Sequence, residues 1–174
     1  MLARARATLI GRPITIDVFD AQQDGPSFGG RTLLALTAPG EPLHGLHVQL
    51  HRHAYDWNDT TPLACWLAGL AAGGGIIAAS SEGGLFEYGT DDTIVTNLTA
   101  LERAGVPLVA GSVTSSSEVR KRMIAQTRFR FFARGLEGFA PLAERSGYVI
   151  AELRTAVVSE QVLLRLRPTL PSSQ

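Results

Sequence analysis

The chain has 174 residues, of which 45% are hydrophobic and 18% are charged. This length fits a single domain, and the apolar content is enough for a buried core, which excludes a largely disordered protein. The 16 basic and 16 acidic residues cancel, which excludes a generally polybasic nucleic-acid-binding protein. The single cysteine, Cys65, excludes an internal disulfide, and the first residues lack a secretory pattern. These features predict an intracellular, cytoplasmic protein.

The charge is unevenly distributed along the chain. Residues 1–60 carry a balance of −1, residues 61–118 a balance of −5 and residues 119–174 a balance of +6. A basic segment of this kind can face an anionic partner, such as nucleic acid. It can equally meet the acidic segment within the fold or across a homo-oligomer interface, and we favour this second interpretation.

The first predicted elements are three strands. Residues 13–19 alternate between apolar and polar side chains, as a half-buried strand does. Residues 20–30 are rich in turn formers and predict a loop. Further alternating segments at 31–37 and 45–55 complete what we expect to be an antiparallel sheet.

The middle of the chain predicts two helices, the first of them buried. Residues 60–81 carry no charge, but Pro62 and the glycines at 73–75 interrupt the segment, which favours a buried helix, a turn and a strand over a membrane span. Residues 82–84 predict a hairpin turn between two short strands. Thr90 is typical of the N-cap of a helix that Gly105 ends.

The last third mixes helices and strands. We predict a strand at 107–110 and a capping box at 115–118, which begins a helix extending to about residue 126. The remaining predictions are a strand at 127–131, a helical or loop segment at 136–145, strands at 148–158 and 161–167, and a flexible tail at 168–174. Together these elements predict an α+β fold with a mainly antiparallel sheet and about three helices, in a single compact domain at 1–167.

The four histidines fall within ten residues and form the most informative cluster. On a strand, His51 and His53 share one face, with Cα atoms roughly 7 Å apart, so both rings could bind one ion. A site for one divalent transition metal, bound by His51 and His53, is therefore one interpretation of this cluster. Ordinary surface or interface histidines are the favoured alternative.

Two further segments could bind anions. Residues 111–117 lead from a strand into a hydroxyl-rich helix N-terminus that includes Ser115, an arrangement that can cradle a phosphate or nucleotide. Alternating arginine and phenylalanine at 128–132 suit single-stranded nucleic acid, although the alternation would also place the phenylalanines in the core. The predicted anion- or nucleic-acid-binding residues are Arg120, Lys121, Arg122, Arg128, Arg130, Arg134 and Ser115.

These observations favour a non-enzymatic assembly or binding protein that associates with itself. Its arginine-rich last third would face an acidic partner, either its own subunit or nucleic acid, as in a virion or another self-assembling structure. This function needs no cofactor and no catalytic residue. The alternatives are a small metal-dependent enzyme that uses His51 and His53, and a phosphate- or nucleotide-binding domain that uses residues 111–117.

Overall fold

The computed structural model describes residues 2–118, 122, 125–126 and 131–168. The chain divides into two compact units, residues 1–56 and 57–174, which are described separately below. The predicted tail at 168–174 falls almost entirely outside the described residues, as does most of the predicted strand at 127–131.

The first unit is built around a pair of parallel strands. Its elements are α1 (Arg6–Leu9), β1 (Pro13–Asp20), α2 (Asp24–Leu36) and β2 (His47–Ala54). The two strands pair over their full lengths, from Pro13 opposite His47 to Asp20 opposite Ala54. Parallel neighbours need a crossover, and α2 provides it. The expected antiparallel pairing was wrong here, because the segment between the strands returns the chain to the same end of the sheet.

Helix α2 replaces both a predicted loop and a predicted strand. Pro26 is buried and Gly29, Gly30, Leu33 and Leu36 are half-buried; apart from Gly29, these positions recur at three- and four-residue intervals, which is a helical period. A Cβ atom on Gly30 would lie 4.0 Å from Leu50 Cδ2, so this side of the helix faces β2. Each interior glycine costs a helix roughly 1 kcal/mol, which is why Gly25, Gly29 and Gly30 had suggested a loop.

The second unit holds a four-stranded mixed sheet. Its elements are α3 (Thr61–Ala71), β3 (Ala79–Ser81), α4 (Leu85–Tyr88), α5 (Asp91–Arg103), β4 (Leu108–Thr114), α6 (Gly135–Arg145), β5 (Tyr148–Thr155) and β6 (Ser159–Leu166). The strand order is β3-β4-β6-β5, in which β3 pairs with β4 in parallel and the other neighbours are antiparallel. The described residues thus contain six helices and two parallel strand pairs, so the expected antiparallel sheet with about three helices was wrong.

The core of the second unit lies against β4. Val109 and Val113 of this strand are buried, and Phe86 packs its ring against Phe139 of α6 with centroids 4.7 Å apart. The buried Tyr148 hydroxyl donates a hydrogen bond of 2.9 Å to the Val106 carbonyl. Burial, reinforced by the charge of Glu102, raises the pKa of Tyr148 well above its ordinary value. This tyrosine therefore anchors β5 in the core as a neutral donor.

The predicted cap of α5 is confirmed. The Thr90 side chain accepts a hydrogen bond of 3.2 Å from the Thr93 amide, and Gly105 follows the helix at a φ of +69°. The helix at 61–71 and the final pair of strands are confirmed as elements. The expectation that this helix is buried was wrong, because among its described side chains only Leu63 and Leu67 are buried, while most of the others, including that of Cys65, are exposed. By contrast, the predicted hairpin across 82–84 was wrong, because β3 ends at Ser81 and the chain turns directly into α4. Among the described residues, no helix is both long and apolar enough to cross a bilayer.

Candidate functional site

The carboxyl ends of β1 and β2 carry acidic side chains in the first unit. Asp20 is the last residue of β1, and its Oδ1 accepts a hydrogen bond of 2.7 Å from the Gln22 amide. The Tyr55 amide, just beyond β2, donates to the Asp20 carbonyl at 3.2 Å, which joins the two strand ends. Ligands of open α/β sheets bind outside the carboxyl ends of parallel strands, so Asp20 lies where a ligand is expected.

The Asp20 carboxylate is held in place but retains acceptor capacity. It is half-buried, and a Cβ atom on Gly25, in the first turn of α2, would lie 3.9 Å from its Oδ2. A carboxylate offers about four acceptor positions, of which the Gln22 amide occupies one. Asp20 can therefore accept the hydroxyl groups of a bound ligand without giving up its contact to the loop.

The histidines surround a different carboxylate, that of Asp17. His53 Nε2 lies 2.7 Å from Asp17 Oδ1 and His51 Nδ1 lies 3.4 Å from the same oxygen, while the Asp17 side chain is only 9% exposed. The His53 ring also stacks on Phe19, with centroids 4.6 Å apart. The sequence correctly placed both histidines on one face of a strand, but it gave no sign that β1 would supply a carboxylate between them.

The structure does not support a metal site at these histidines. Within the part of the chain that the structure describes, no group of three or more histidine, cysteine, aspartate or glutamate side chains is arranged to hold a metal ion. Both rings point a nitrogen at one oxygen of Asp17, so the carboxylate occupies the direction that a shared ion would need.

A polar face follows the carboxyl half of β4 in the second unit. Ser112 and Thr114 are cross-strand neighbours of Gln161 and Ser159 on β6, and all four side chains lie on one face of the sheet. The Ser112 hydroxyl accepts from the Gly83 amide at 3.1 Å and donates to Glu87 Oε1 at 3.5 Å. Ser112, Thr114, Ser159 and Gln161, together with Glu87, form a surface that we call the polar face.

One hydroxyl of the polar face lacks a partner. Thr114 is fully buried, and its Oγ1 makes no hydrogen bond to any described residue. Buried polar atoms are nearly always paired, and leaving one unpaired costs about 1–3 kcal/mol. The sequence could not identify this group, because neighbouring hydroxyls at 112–117 are explained equally well by helix capping.

The predicted anion-binding residues do not form one described surface. Ser115 is half-buried and donates to Ser117 Oγ at 3.3 Å, and Arg122 is exposed. Arg134 lies inside the unit, with its side chain only 6% exposed. The other predicted residues, Arg120, Lys121, Arg128 and Arg130, lie outside the described residues. The nucleic-acid and self-association partners stay predictions.

Arg134 instead ties three elements of the second unit together. Its Nε donates to Asp91 Oδ1 at 2.7 Å, and its terminal nitrogens donate to the carbonyls of Phe86 and Gly89. The guanidinium also lies 4.4 Å from the ring centroid of Phe132. A cation with these contacts is a structural anchor and presents little surface to a nucleic acid.

Comparison with solved structures identifies the fold of the chain, whereas comparison with protein families and curated proteins finds no match. TnmH aligns at a TM-score of 0.57 and 17% identity, over 95% of this chain and 46% of its own. LepI in complex with S-adenosylmethionine aligns at 0.59 and 14%, over 94% and 39%.

A third alignment covers a larger share of the matching protein than the first two do. Magnesium protoporphyrin IX methyltransferase from Synechocystis PCC 6803, with bound S-adenosylhomocysteine, aligns at a TM-score of 0.53 and 11% identity, over 95% of this chain and 83% of its own. The chain therefore has the Rossmann-like α/β fold of these proteins, while it spans less than half the length of the first two.

These matches correct the predicted class of protein. The α+β fold class was wrong, and so was the non-enzymatic assembly or structural protein, because the matching structures include a methyltransferase. The prediction of no cofactor, with a transition metal as its alternative, conflicts with neighbours that hold S-adenosylmethionine or S-adenosylhomocysteine. The sequence prediction failed because it assumed that β1 and β2 are antiparallel. An antiparallel pair does not bring two carboxyl ends to one edge of the sheet, where ligands of open α/β sheets bind.

Proposed function

We propose that the chain is part of an S-adenosylmethionine-dependent enzyme that methylates a small molecule. The observation that carries this proposal is the alignment of 94–95% of the chain with structures that hold S-adenosylmethionine or its demethylated product. It is supported by the carboxylate that ends β1, at the edge of the sheet where ligands of this architecture bind.

The residues of the first unit fit one part of this cofactor. Asp20 would accept hydrogen bonds from hydroxyl groups of the cofactor, because it ends β1 at the carboxyl edge of the parallel pair, where ligands of such sheets bind. Asp56, two residues beyond β2, offers a second carboxylate to N–H donors such as the adenine amino group. When bound, the cofactor supplies an electrophilic methyl group.

The chain's own residues would position the cofactor. The turn after β1 holds Asp20 through the Gln22 amide, so the carboxylate is ordered before a ligand binds. Preorganised acceptors of this kind lower the entropic cost of binding.

The test of cofactor binding is the Asp20→Asn variant. We expect S-adenosylhomocysteine to bind the wild-type chain and to bind Asp20→Asn about 10- to 100-fold more weakly, since hydrogen bonds to a charged group contribute about 1.5–3 kcal/mol. Isothermal titration calorimetry measures both affinities.

The matched control is Asp24→Asn, an exposed carboxylate in the first turn of α2. It removes the same charge four residues further along the chain and is expected to leave the affinity within about twofold of wild type. Failure of the wild-type chain to bind millimolar S-adenosylhomocysteine would contradict the proposal. Equal losses in the two variants would show that only the local charge matters.

A further inference from the structure

We infer that the cleft between α2 and β2 of the first unit binds a small organic carboxylate through the guanidinium groups of Arg31 and Arg52. Such a site goes beyond the proposed function, which assigns no role to either arginine. Every residue concerned belongs to the first unit.

The cleft has the size of a small-molecule site. Its volume is about 530 Å³, and sites for small molecules typically measure about 300–1,000 Å³. Helix α2 forms one wall and strand β2 the other, and the lining residues are Pro26, Ser27, Gly30, Arg31, Leu50 and Arg52. Because the cleft opens to solvent, a ligand can enter it without a rearrangement of these two elements.

Arg52 interrupts the apolar face of β2 at this cleft. Alternation along the strand places Arg52 on the same face as Val48 and Leu50, which are both half-buried. Helix α2 covers this face, since a Cβ atom on Gly30 would lie 4.0 Å from Leu50 Cδ2. Strands of parallel sheets are ordinarily apolar where helices cover them, so an arginine here contributes little to packing. A binding role accounts for a cation at this position.

Both guanidinium groups are free of protein partners in the part of the chain that the structure describes. Arg31 and Arg52 are exposed, and neither forms an ion pair or a hydrogen bond with a described residue. Arg134 of the second unit shows the contrast, because its guanidinium donates to three protein acceptors. Two cations that line one cleft repel each other, and an anion between them replaces this repulsion by attraction.

The lining selects a carboxylate that carries an apolar body. A planar guanidinium matches the two oxygens of a carboxylate with parallel hydrogen bonds. Ser27 lies one turn before Arg31 on the same side of α2 and adds a hydroxyl donor. Pro26 and Leu50 offer apolar surface to the rest of the ligand. An aromatic carboxylate therefore fits the cleft better than a neutral amide of the same shape or a carboxylate without an apolar part.

The experiment titrates the chain with benzoate, benzamide and acetate. Leucine methyl groups are labelled with ¹³C, and the peaks missing from the spectrum of Leu50→Ile assign Leu50, since an exchange that conserves volume is well tolerated. We expect millimolar benzoate to move the Leu50 methyl resonances. Benzamide, which lacks the charge, and acetate, which lacks the ring, are expected to bind at least about threefold more weakly.

Arg31→Gln and Arg52→Gln test the two cations separately. Each variant is expected to bind benzoate about three- to tenfold more weakly, because a hydrogen bond to a charged group is lost while solvent screens the exposed charge. Their melting temperatures should stay within about 2 °C of wild type, because neither arginine has a partner among the described residues to lose. Arg12→Gln is the matched control, since Arg12 is an exposed arginine of the same unit that does not line the cleft, and it should change neither quantity.

Four results would contradict this site. They are Leu50 resonances that benzoate leaves in place, equal affinities for benzoate and either of the other molecules, unchanged benzoate affinity in both cleft variants, and an equal loss in Arg12→Gln. Titration with S-adenosylhomocysteine tests the proposed function separately. A chain that binds benzoate at Leu50 but not S-adenosylhomocysteine would keep the carboxylate site and lose the cofactor assignment, and the reverse result would do the opposite.

Discussion

Replacing Gly111 by alanine is expected to lower the free energy of unfolding by about 3 kcal/mol or more, or to prevent folding. A Cβ atom at this position would lie 2.5 Å from two ring carbons of Phe86 and 2.8 Å from the Ser81 carbonyl oxygen. Overpacking of a core typically costs about 1–3 kcal/mol. Here the cost is at the upper end, because one of the two obstacles is backbone of the neighbouring strand β3.

Gly69→Ala in α3 is the control for Gly111→Ala. A Cβ atom on Gly69 would meet nothing within 4 Å, and the residue lies inside a helix. Alanine there is expected to increase stability by up to about 1 kcal/mol. Urea denaturation followed by circular dichroism measures both variants. A Gly111→Ala protein within about 0.5 kcal/mol of wild type would show that β3, β4 and Phe86 are not packed as described.

The second large effect is expected at Arg134. Truncation to alanine leaves the Phe86 and Gly89 carbonyls and the Asp91 carboxylate without their common donor. We expect Arg134→Ala to lose about 1–3 kcal/mol of unfolding free energy, because the part-buried Phe86 and Gly89 carbonyls lose their donor, while Asp91, whose side chain is 62% exposed, is hydrated instead. Arg134→Lys should restore only part of the loss, since an ammonium group lacks the planar fork that reaches several acceptors.

Arg154→Ala provides the matched comparison for Arg134. Its Nη2 lies 3.7 Å from Glu152 Oε2, and both side chains are largely exposed, at 81% and 60%. An exposed pair of this kind contributes about 0–1 kcal/mol, so this variant should unfold close to wild type. Chemical denaturation distinguishes the two arginines. Similar losses in both variants would contradict the anchoring role of Arg134 and restore it as a candidate surface cation.

The sequence by itself determined the elements that depend on local chemistry. Thr90 caps α5 because a threonine oxygen can accept the amide three residues later, whatever surrounds it. The alternation of Pro13–Asp20 and His47–Ala54 identified two strands and placed His51 and His53 on one face. These signals are readable because they depend on residues a few positions apart.

Only the tertiary structure decided how these elements pair and what they bring together. Alternating strands look the same in parallel and antiparallel pairs, so the direction of β2 depended on α2, whose glycines had suggested a loop. That direction places Asp20 at the carboxyl edge of a parallel pair, and it sets Asp17 between two histidines that the sequence had offered as candidate metal ligands. The sequence likewise could not predict that Thr114 Oγ1 lacks a hydrogen-bond partner among the described residues. Whether a buried group is paired depends on three-dimensional packing, which no local sequence pattern reports.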